Sequence, residues 1–184
     1  MHFKDTGIVG SWLVESDIHA DERGLLFEWF KSSTVEDNLL TSFDPKQANF
    51  SNSNANVIRG IHYSMAGNGQ AKWVTCVSGS IYDVVIDTRK ESPTFGKWFG
   101  VELKANSGKS LFLSGSLGHA FLALEDDTSV MYLLSSEYNP QFEFAINPLD
   151  TDINILWPCE NKILSQKDLS APTLYEQLAA RNLP

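Results

Sequence analysis

Long apolar runs are missing from this 184-residue chain, and so is any excess of positive charge. No stretch approaches the ~20 apolar residues of a membrane-spanning helix. Ile8-Val-Gly-Ser-Trp-Leu-Val14 is too short, and lacks the basic lead-in, for a secretion signal. A net charge of −9 runs against a general nucleic-acid binder, which needs a basic surface to displace counterions from phosphates. A phosphate-bearing ligand would therefore have to meet a local cationic pocket. Cysteine is scarce as well: Cys76 and Cys159 lie far apart, with no CxxC pair or Cys/His cluster, as suits a reducing compartment. These absences imply a cytoplasmic protein with neither nucleic acid nor membrane as partner. Low-complexity tracts, repeats and linkers are also lacking. With 42% hydrophobic residues, residues 1–184 are expected to form one domain with a real core.

What remains is mostly strand signal. Alternating runs at 72–77 and 80–87 join at Ser78-Gly79 and read as a hairpin. Further strands are expected at 10–15, 25–31, 57–63, 98–103, 110–113, 120–125 and 129–135, with Asp21-Glu-Arg-Gly24 a turn and Glu125-Asp-Asp-Thr128 a hairpin tip. The stretch 47–56 reads as a polar irregular loop. Short strands without intervening helices favour a sandwich or barrel over a parallel sheet. Two helices are signalled by capping-box spacing, Ser33-x-x-Glu36 for 33–40 and Thr173-x-x-Glu176 for 172–181. The second is too short to persist alone and has to dock on the body.

The stretch 47–87 draws attention because Arg59, His62 and Lys72 all fall on or beside expected strands. Two permanent cations next to a group that titrates near neutrality do not build a core, since unpaired buried charge costs several kcal/mol. They suit an anion held beside a base. Parity places Asp83 with Ile81 and Val85, Tyr132 with Val130 and Leu134, and His119 with Phe121. Arg59 and His62 have opposite parity. Either Gly60 hosts a bulge that reconciles them, or they serve different walls.

Three chemistries compete for these residues. A barrel with histidines suggests a metal centre, but His62-Tyr-Ser64 lacks a neighbouring second histidine, and His2, His19, His62 and His119 are scattered. Neither a nucleophile elbow nor a reactive-cysteine motif occurs. Proton transfer at a carbon beside a carbonyl needs a base, an acid on the opposite face and a cation for the enolate oxygen. His62, Tyr132 and Lys72 are the right types, although a lone His and a lone Tyr in a β-domain are more often satisfied core residues.

Gln47-Ala-Asn49, Ser51, Val57-Ile-Arg-Gly-Ile-His-Tyr63, Lys72, Asp83-Val-Val-Ile-Asp87, Ser92-Pro-Thr-Phe-Gly-Lys-Trp98, Gly118-His-Ala-Phe121 and Tyr132 occur in this order. Asn147-Pro-Leu-Asp150, Trp157-Pro158 and Ser165-Gln-Lys-Asp168 continue it. The set closely resembles the dTDP-4-dehydrorhamnose 3,5-epimerase family. The resemblance implies an all-β, cupin-type jelly-roll barrel, a homodimer, and neither metal nor organic cofactor. It further implies His62 as general base with Asp168 behind it, Tyr132 as general acid and Lys72 at the enolate. His119 matches another active-site position, with Asp83 its supporting carboxylate. Arg23, Glu28, Gln47, Asn49, Arg59, Glu143 and Lys167 match nucleotide- or sugar-binding positions, and Tyr138 the ring that stacks on thymine. The resemblance places Arg23 and Glu28 in the partner subunit's site, although Arg23 by itself reads as a solvated turn residue.

Two stretches depart from the common family pattern. Ser114-Gly-Ser-Leu-Gly-His119 replaces Pro-x-Gly-Phe-Ala-His, and Leu133-Leu-Ser-Ser136 replaces Lys-x-Thr after the acid. With Ala171-Pro-Thr-Leu174 and Leu183-Pro184 they look like the branch that makes unusual deoxysugars, which includes 3-epimerases. Inversion at C3 is expected to dominate over C5. Two other readings share the scaffold: a catalytically silent dTDP-sugar-binding barrel, which has no use for the acid, and a 3,4-ketoisomerase, which has no use for an acid on the opposite face. Tyr132 separates both from the epimerase.

Overall fold

The computed structural model describes residues 1–39 and 42–181. In chain order its elements are β1 (His2–Asp5), β2 (Ser11–Glu15), β3 (His19–Asp21), β4 (Gly24–Leu26), α1 (Ser32–Leu39), β5 (Gln47–Ser53), β6 (Ile58–Ser64), β7 (Lys72–Ser78), β8 (Ser80–Asp87), β9 (Trp98–Lys104), β10 (Lys109–Leu113), β11 (Leu117–Ala123), β12 (Thr128–Leu134), β13 (Glu143–Ala145), α2 (Gln166–Leu169) and α3 (Leu174–Arg181). A six-stranded sheet, β1-β2-β10-β7-β12-β5, faces a five-stranded one, β13-β6-β11-β8-β9. All their pairings are antiparallel, which gives the jelly-roll barrel that the sequence leads one to expect. Among the described residues no helix is long and apolar enough to cross a membrane.

Side-chain alternation builds three apolar layers. Val74, Leu111, Leu113 and Val130 from the first sheet meet Ile81, Val85, Leu103, Leu117 and Phe121 from the second, and these fill the barrel. The intervening residues face outward: Trp73 and Phe112 are covered by Val35 of α1 and by Phe43, while Val84, Ile86, Ala120 and Leu122 are covered by Ile146, Ile153, Ile155, Trp157 and Leu174. Burying a large apolar side chain is worth roughly 1.5–3 kcal/mol, so the segment after β13, though largely without regular structure, is bound firmly to the outside of the second sheet.

Several expected boundaries hold, and others give way to tertiary context. Ser78-Gly79 is not a hairpin, since β7 belongs to one sheet and β8 to the other. Gly79 has φ +70 and lies against Thr128, so the turn is a corner that carries the chain across the barrel. The turn 125–128 likewise links β11 to β12 in the opposite sheet. Alternation reports that a strand has an inner face, not which sheet it joins. The stretch expected to be irregular, 47–56, contains β5, whose Gln47, Asn49, Ser51 and Ser53 are turned inward while Ala48, Phe50 and Asn52 are exposed. Its inner face lines a cleft rather than the core, which is why it reads as polar. The strand expected at 25–31 shrinks to β4, because Trp29 and Phe30 join the outer layer over Trp73. Strands β1, β3 and β13 and helix α2 lie outside the elements expected from the sequence.

Helix α1 begins at Ser32, so Ser33 lies in its first turn and not at its cap; residue 40 falls outside the described residues. Around Thr173 the capping box forms. Thr173 N–H donates to Glu176 Oε2 at 2.8 Å, and Glu176 N–H donates to Thr173 Oγ1 at 3.2 Å. The following Leu174 is buried and donates its N–H to Asp150 Oδ2 at 2.7 Å, which docks the helix. Leu183 and Pro184 lie outside the described residues.

Candidate active site

A cleft opens between the sheets along β5 and β6, beside α2. It consists of a cavity of ≈ 310 Å³ and an adjoining one of ≈ 240 Å³, with His62, Lys72, Tyr132 and Lys167 lining both. His62 comes from β6 in the five-stranded sheet, whereas Lys72 and Tyr132 come from β7 and β12 in the six-stranded one. His62 and Tyr132 therefore enter from opposite walls.

The parity conflict at Arg59 resolves into a bulge. His62 pairs with His119 and Arg59 with Phe121, so three steps on β6 oppose two on β11. Gly60 has φ +121, and a Cβ there would come within 2.5 Å of the His119 carbonyl oxygen, so only glycine fits. The extra residue turns Arg59 and His62 into the same cavity.

His62 Nε2 lies 2.7 Å from Asp168 Oδ1, with the histidine part-exposed and the aspartate buried. Burial opposes ionisation of the Asp168 carboxyl. The hydrogen bond and charge of His62, the Ser165 hydroxyl and the Lys167 charge outweigh it, so the carboxyl lies below its usual range. An ionised Asp168 accepts from Nε2–H and leaves the lone pair of a neutral imidazole on Nδ1. His119 Nε2 lies 2.6 Å from Asp83 Oδ1, and both residues are buried. Its ring centroid is 6.5 Å from that of Tyr132.

Lys72 Nζ donates to the His62 carbonyl at 3.2 Å. Burial pushes its ammonium down to about 8, partly offset by the charges of Glu143 and Asp83. Among the described residues, Ser11 Oγ, Ser51 Oγ, Asp83 Oδ2 and Glu143 Oε1 are buried without a hydrogen-bond partner. Unsatisfied polar atoms of this kind are rare in folded proteins and call for an explanation. Three of the four lie in or just behind one cleft, whereas Ser11, on β2, lies outside it.

Gln47, Asn49, Tyr138 and Glu143 line the second cavity. Gln47 Nε2 donates to Asn49 Oδ1 at 2.7 Å, and Gln47 Oε1 accepts from Tyr138 N–H at 2.8 Å, tying the loop that carries Tyr138 to β5. Arg59 Nε donates to Ser53 Oγ at 2.9 Å and its terminal NH2 to Asn52 O at 3.0 Å. Arg23 and Glu28 are not part of this cleft. Arg23 is highly exposed and paired with Asp21, and Glu28 lies 3.5 Å from Lys31.

Ser51, Gln70 and Ser165 contribute to the cleft without having been singled out as site residues. The alternation of Gln47, Asn49 and Ser51 was the available signal for Ser51, and Ser165-x-x-Asp168 has N-cap spacing. Gln70 carries no such signal. It is buried, and its Nε2 donates to Ser136 O at 3.0 Å. Leu134 lines the cleft and Ser136 is bonded to the lining residue Gln70, whereas 114–118 lie outside it: Ser114 N–H donates to Gly10 O, and Ser116 O accepts from Thr88 Oγ1.

Comparison with known proteins matches residues 5–176 to a family model described as dTDP-4-dehydrorhamnose 3,5-epimerase. The chain is 45% identical, over its whole length and 91% of the relative, to the dTDP-4-dehydrorhamnose 3,5-epimerase of Mycolicibacterium smegmatis. It is 43% identical to the dTDP-4-dehydro-6-deoxyglucose 3-epimerase of Streptomyces bikiniensis, over 91% of this chain and 86% of that protein. Among solved structures, the rmlC epimerase of Mycobacterium tuberculosis superimposes with a TM-score of 0.96 at 41% identity, covering all of this chain and 94% of that one. ChmJ, a 3'-monoepimerase from Streptomyces bikiniensis in complex with dTDP-quinovose, gives 0.90 at 42% identity, covering 96% and 90%. Relatives of both kinds lie at similar identity, so overall likeness does not separate the two regiochemistries.

Proposed function

The chain belongs to the dTDP-4-dehydrorhamnose 3,5-epimerase family, and from that premise we propose that residues 1–184 act as one domain that epimerises a dTDP-4-keto-6-deoxyhexose, chiefly at C3. The hydrogen on a carbon beside the C4 ketone is acidic because the resulting carbanion delocalises into an enolate. His62 takes that proton at Nδ1, with Asp168 on Nε2 fixing the tautomer and stabilising the imidazolium that forms. Lys72 meets the negative charge that develops on the C4 oxygen. Tyr132 returns a proton from the other side, and the carbon is inverted. His119, braced by Asp83, serves as a further fixed polar group in the wall. Proton removal and return leave the oxidation state unchanged, so these side chains suffice without a metal or organic cofactor.

One observation carries this reading: His62 and Tyr132 project from opposing sheets into a shared cleft. Inversion needs a base and an acid on opposite faces of the sugar, and a binding barrel or ketoisomerase does not. For the nucleotide, Arg59 and Lys167 meet the diphosphate and Tyr138 stacks on the thymine, while Gln47, Asn49 and Glu143 supply polar contacts. Arg23 and Glu28 act in the cleft of the partner subunit of a homodimer. The exposure of Leu25 and Leu26 beside them supports this, since an apolar hairpin left in water is costly until a second surface covers it.

The test is NMR of the 4-keto substrate in deuterated water. Deuterium entering a carbon next to the ketone together with an epimerised product supports the proposal. Tight dTDP binding without exchange points to a silent barrel, and migration of the carbonyl to C3 points to a ketoisomerase.

A further inference from the structure

Asp168 stands on an element that cannot hold itself. Helix α2 has four residues, too few for a helical turn to persist in water on its backbone bonds alone. Its third residue nevertheless keeps a buried carboxylate 2.7 Å from His62. Support comes from outside the turn. On entry, Ile163 runs beside Val57 as a parallel bridge, donating its N–H to Asn56 O at 2.9 Å and accepting from Ile58 N–H at 2.8 Å. Within the turn, Ser165 is the N-cap in extended conformation, and its Oγ accepts from the Asp168 N–H at 3.1 Å. On exit, Asn147 Nδ2 donates to Leu169 O at 3.0 Å and Asn147 N–H to Pro172 O at 2.9 Å. Asn147 lies two residues beyond Ala145, which is paired with His62 itself.

We propose that Ser165 and Asn147 are positioning residues that clamp α2 at both ends and thereby hold the Asp168 carboxylate on His62. The proposal rests on the reading of His62 and Asp168 as base and partner. The Ser165 bond reaches the amide of the very residue whose carboxylate meets the imidazole, so it fixes the point from which that side chain extends. Asn147 links the strand that carries the pairing partner of His62 to the end of α2, so the two halves of the pair share one frame. A rival role exists for Ser165, which lines the cleft beside Lys167 and could touch a ligand oxygen directly. Asn147 has no such option and serves as the independent probe.

The experiment measures kcat, KM and dTDP affinity for Ser165→Ala, Ser165→Thr and Asn147→Ala, each alone and combined with Asp168→Ala. Losing an N-cap typically costs about 1 kcal/mol, so Ser165→Ala is expected to lower kcat by roughly fivefold with dTDP affinity unchanged. Ser165→Thr, which keeps the capping hydroxyl, restores kcat to within about twofold. Asn147→Ala lowers kcat by a similar factor. In the Asp168→Ala background neither substitution lowers kcat further, because residues that act through one group are not additive. A full loss that persists without Asp168, or weakened dTDP binding at unchanged kcat, overturns the clamp alone. Wild-type kcat in Asp168→Ala by itself overturns the reading of the pair, and the clamp with it.

Discussion

His62 and His119 are direct partners in the β6–β11 ladder, and each sets Nε2 against an aspartate oxygen, at 2.7 Å from Asp168 and 2.6 Å from Asp83. The two pairs differ in access. The His62 side chain keeps 41% of its surface exposed, whereas that of His119 keeps 8%. A base has to meet a substrate that arrives from solvent, so the exposed pair suits proton abstraction and the buried one suits a fixed wall.

His62→Ala should lower solvent-deuterium exchange into the substrate by about 10³-fold, the middle of the range for general-base catalysis. Asp168→Ala should lower it less, because the imidazole remains. Exchange rates with circular dichroism as a fold check decide the matter. A folded His62→Ala protein that exchanges at the wild-type rate removes His62 from the mechanism.

Ligand binding should depend on charge in spite of the acidic chain. Arg59→Ala and Lys167→Ala are each expected to weaken dTDP binding by roughly tenfold, as loss of a charge-assisted hydrogen bond of about 1.5 kcal/mol does. Tyr138→Ala should cost a further 0.5–1.5 kcal/mol, approximately the worth of an aromatic stack. Calorimetry with dTDP measures both. Equal affinity for the free deoxysugar and its dTDP conjugate would falsify the diphosphate site.

The strands were legible because their inner faces are apolar at period two, as Ile81, Val85 and Val130 illustrate. Their partners were not, since Ser78-Gly79 looks the same whether it closes a hairpin or turns a barrel corner. The neighbourhood of His62, Lys72 and Tyr132 was legible through family likeness, and the bulge at Gly60 through the parity conflict it resolves. Strand β5 escaped notice for a reason tied to function: an inner face that lines a polar cleft loses the apolar alternation by which strands are recognised. Gln70 gave no signal at all, because its role depends on a contact with Ser136 across 66 residues.

Lys72 sets an alkaline limit. With its ammonium at about 8 in the free enzyme, kcat/KM should fall as pH rises through that value, whereas kcat should fall only at higher pH, because an anionic ligand or enolate retains the proton. Lys72→Arg should move the limb of kcat/KM upward while lowering its plateau, since guanidinium stays charged. The linked stability effect has the opposite sign. Between about pH 8 and the ordinary lysine value the unfolded chain binds the proton and the folded one does not, so this group adds stability as pH rises there. A kcat/KM profile flat to pH 10 would remove Lys72 from the enolate site.

Asp87 separates stability from activity. It is fully buried, accepts from Arg89 Nε and Ser92 and Thr94 hydroxyls at 2.5–2.8 Å, and lies outside the cleft. Burial opposes its ionisation, but these donors outweigh it and hold the carboxyl below the usual range. Its contribution is therefore present above an unfolded-state value of about 4 and is lost as pH falls through the lower folded value. Asp87→Ala should destabilise by about 2 kcal/mol at pH 7, since the Ser92 and Thr94 hydroxyls lose their acceptor and the part-exposed Arg89 its partner, a fall in Tm of roughly 4–8 °C. Thermal scans at pH 7 and pH 3 should show the difference shrinking in acid, with kcat per folded molecule unchanged.

Regiochemistry is the most exposed expectation. One base and one acid serve two carbons only if the ring can present each in turn, so the wall beside the sugar decides how many poses survive. Of the two departures from the common family pattern, 114–118 pack against Gly10 and Thr88 and do not reach that wall. The expectation therefore rests on Leu134, which lines the cleft next to Tyr132, and on Ser136, which is held by the cleft residue Gln70. Losing one pose at a cost of ~3 kcal/mol slows that carbon by about a hundredfold and leaves the other untouched. Deuterium should appear early at C3 with little at C5, and Gln70→Ala, which frees Ser136, should raise the C5 fraction. Equal uptake at both carbons from the first turnovers would show that these residues leave both poses open and that the enzyme inverts C3 and C5 alike.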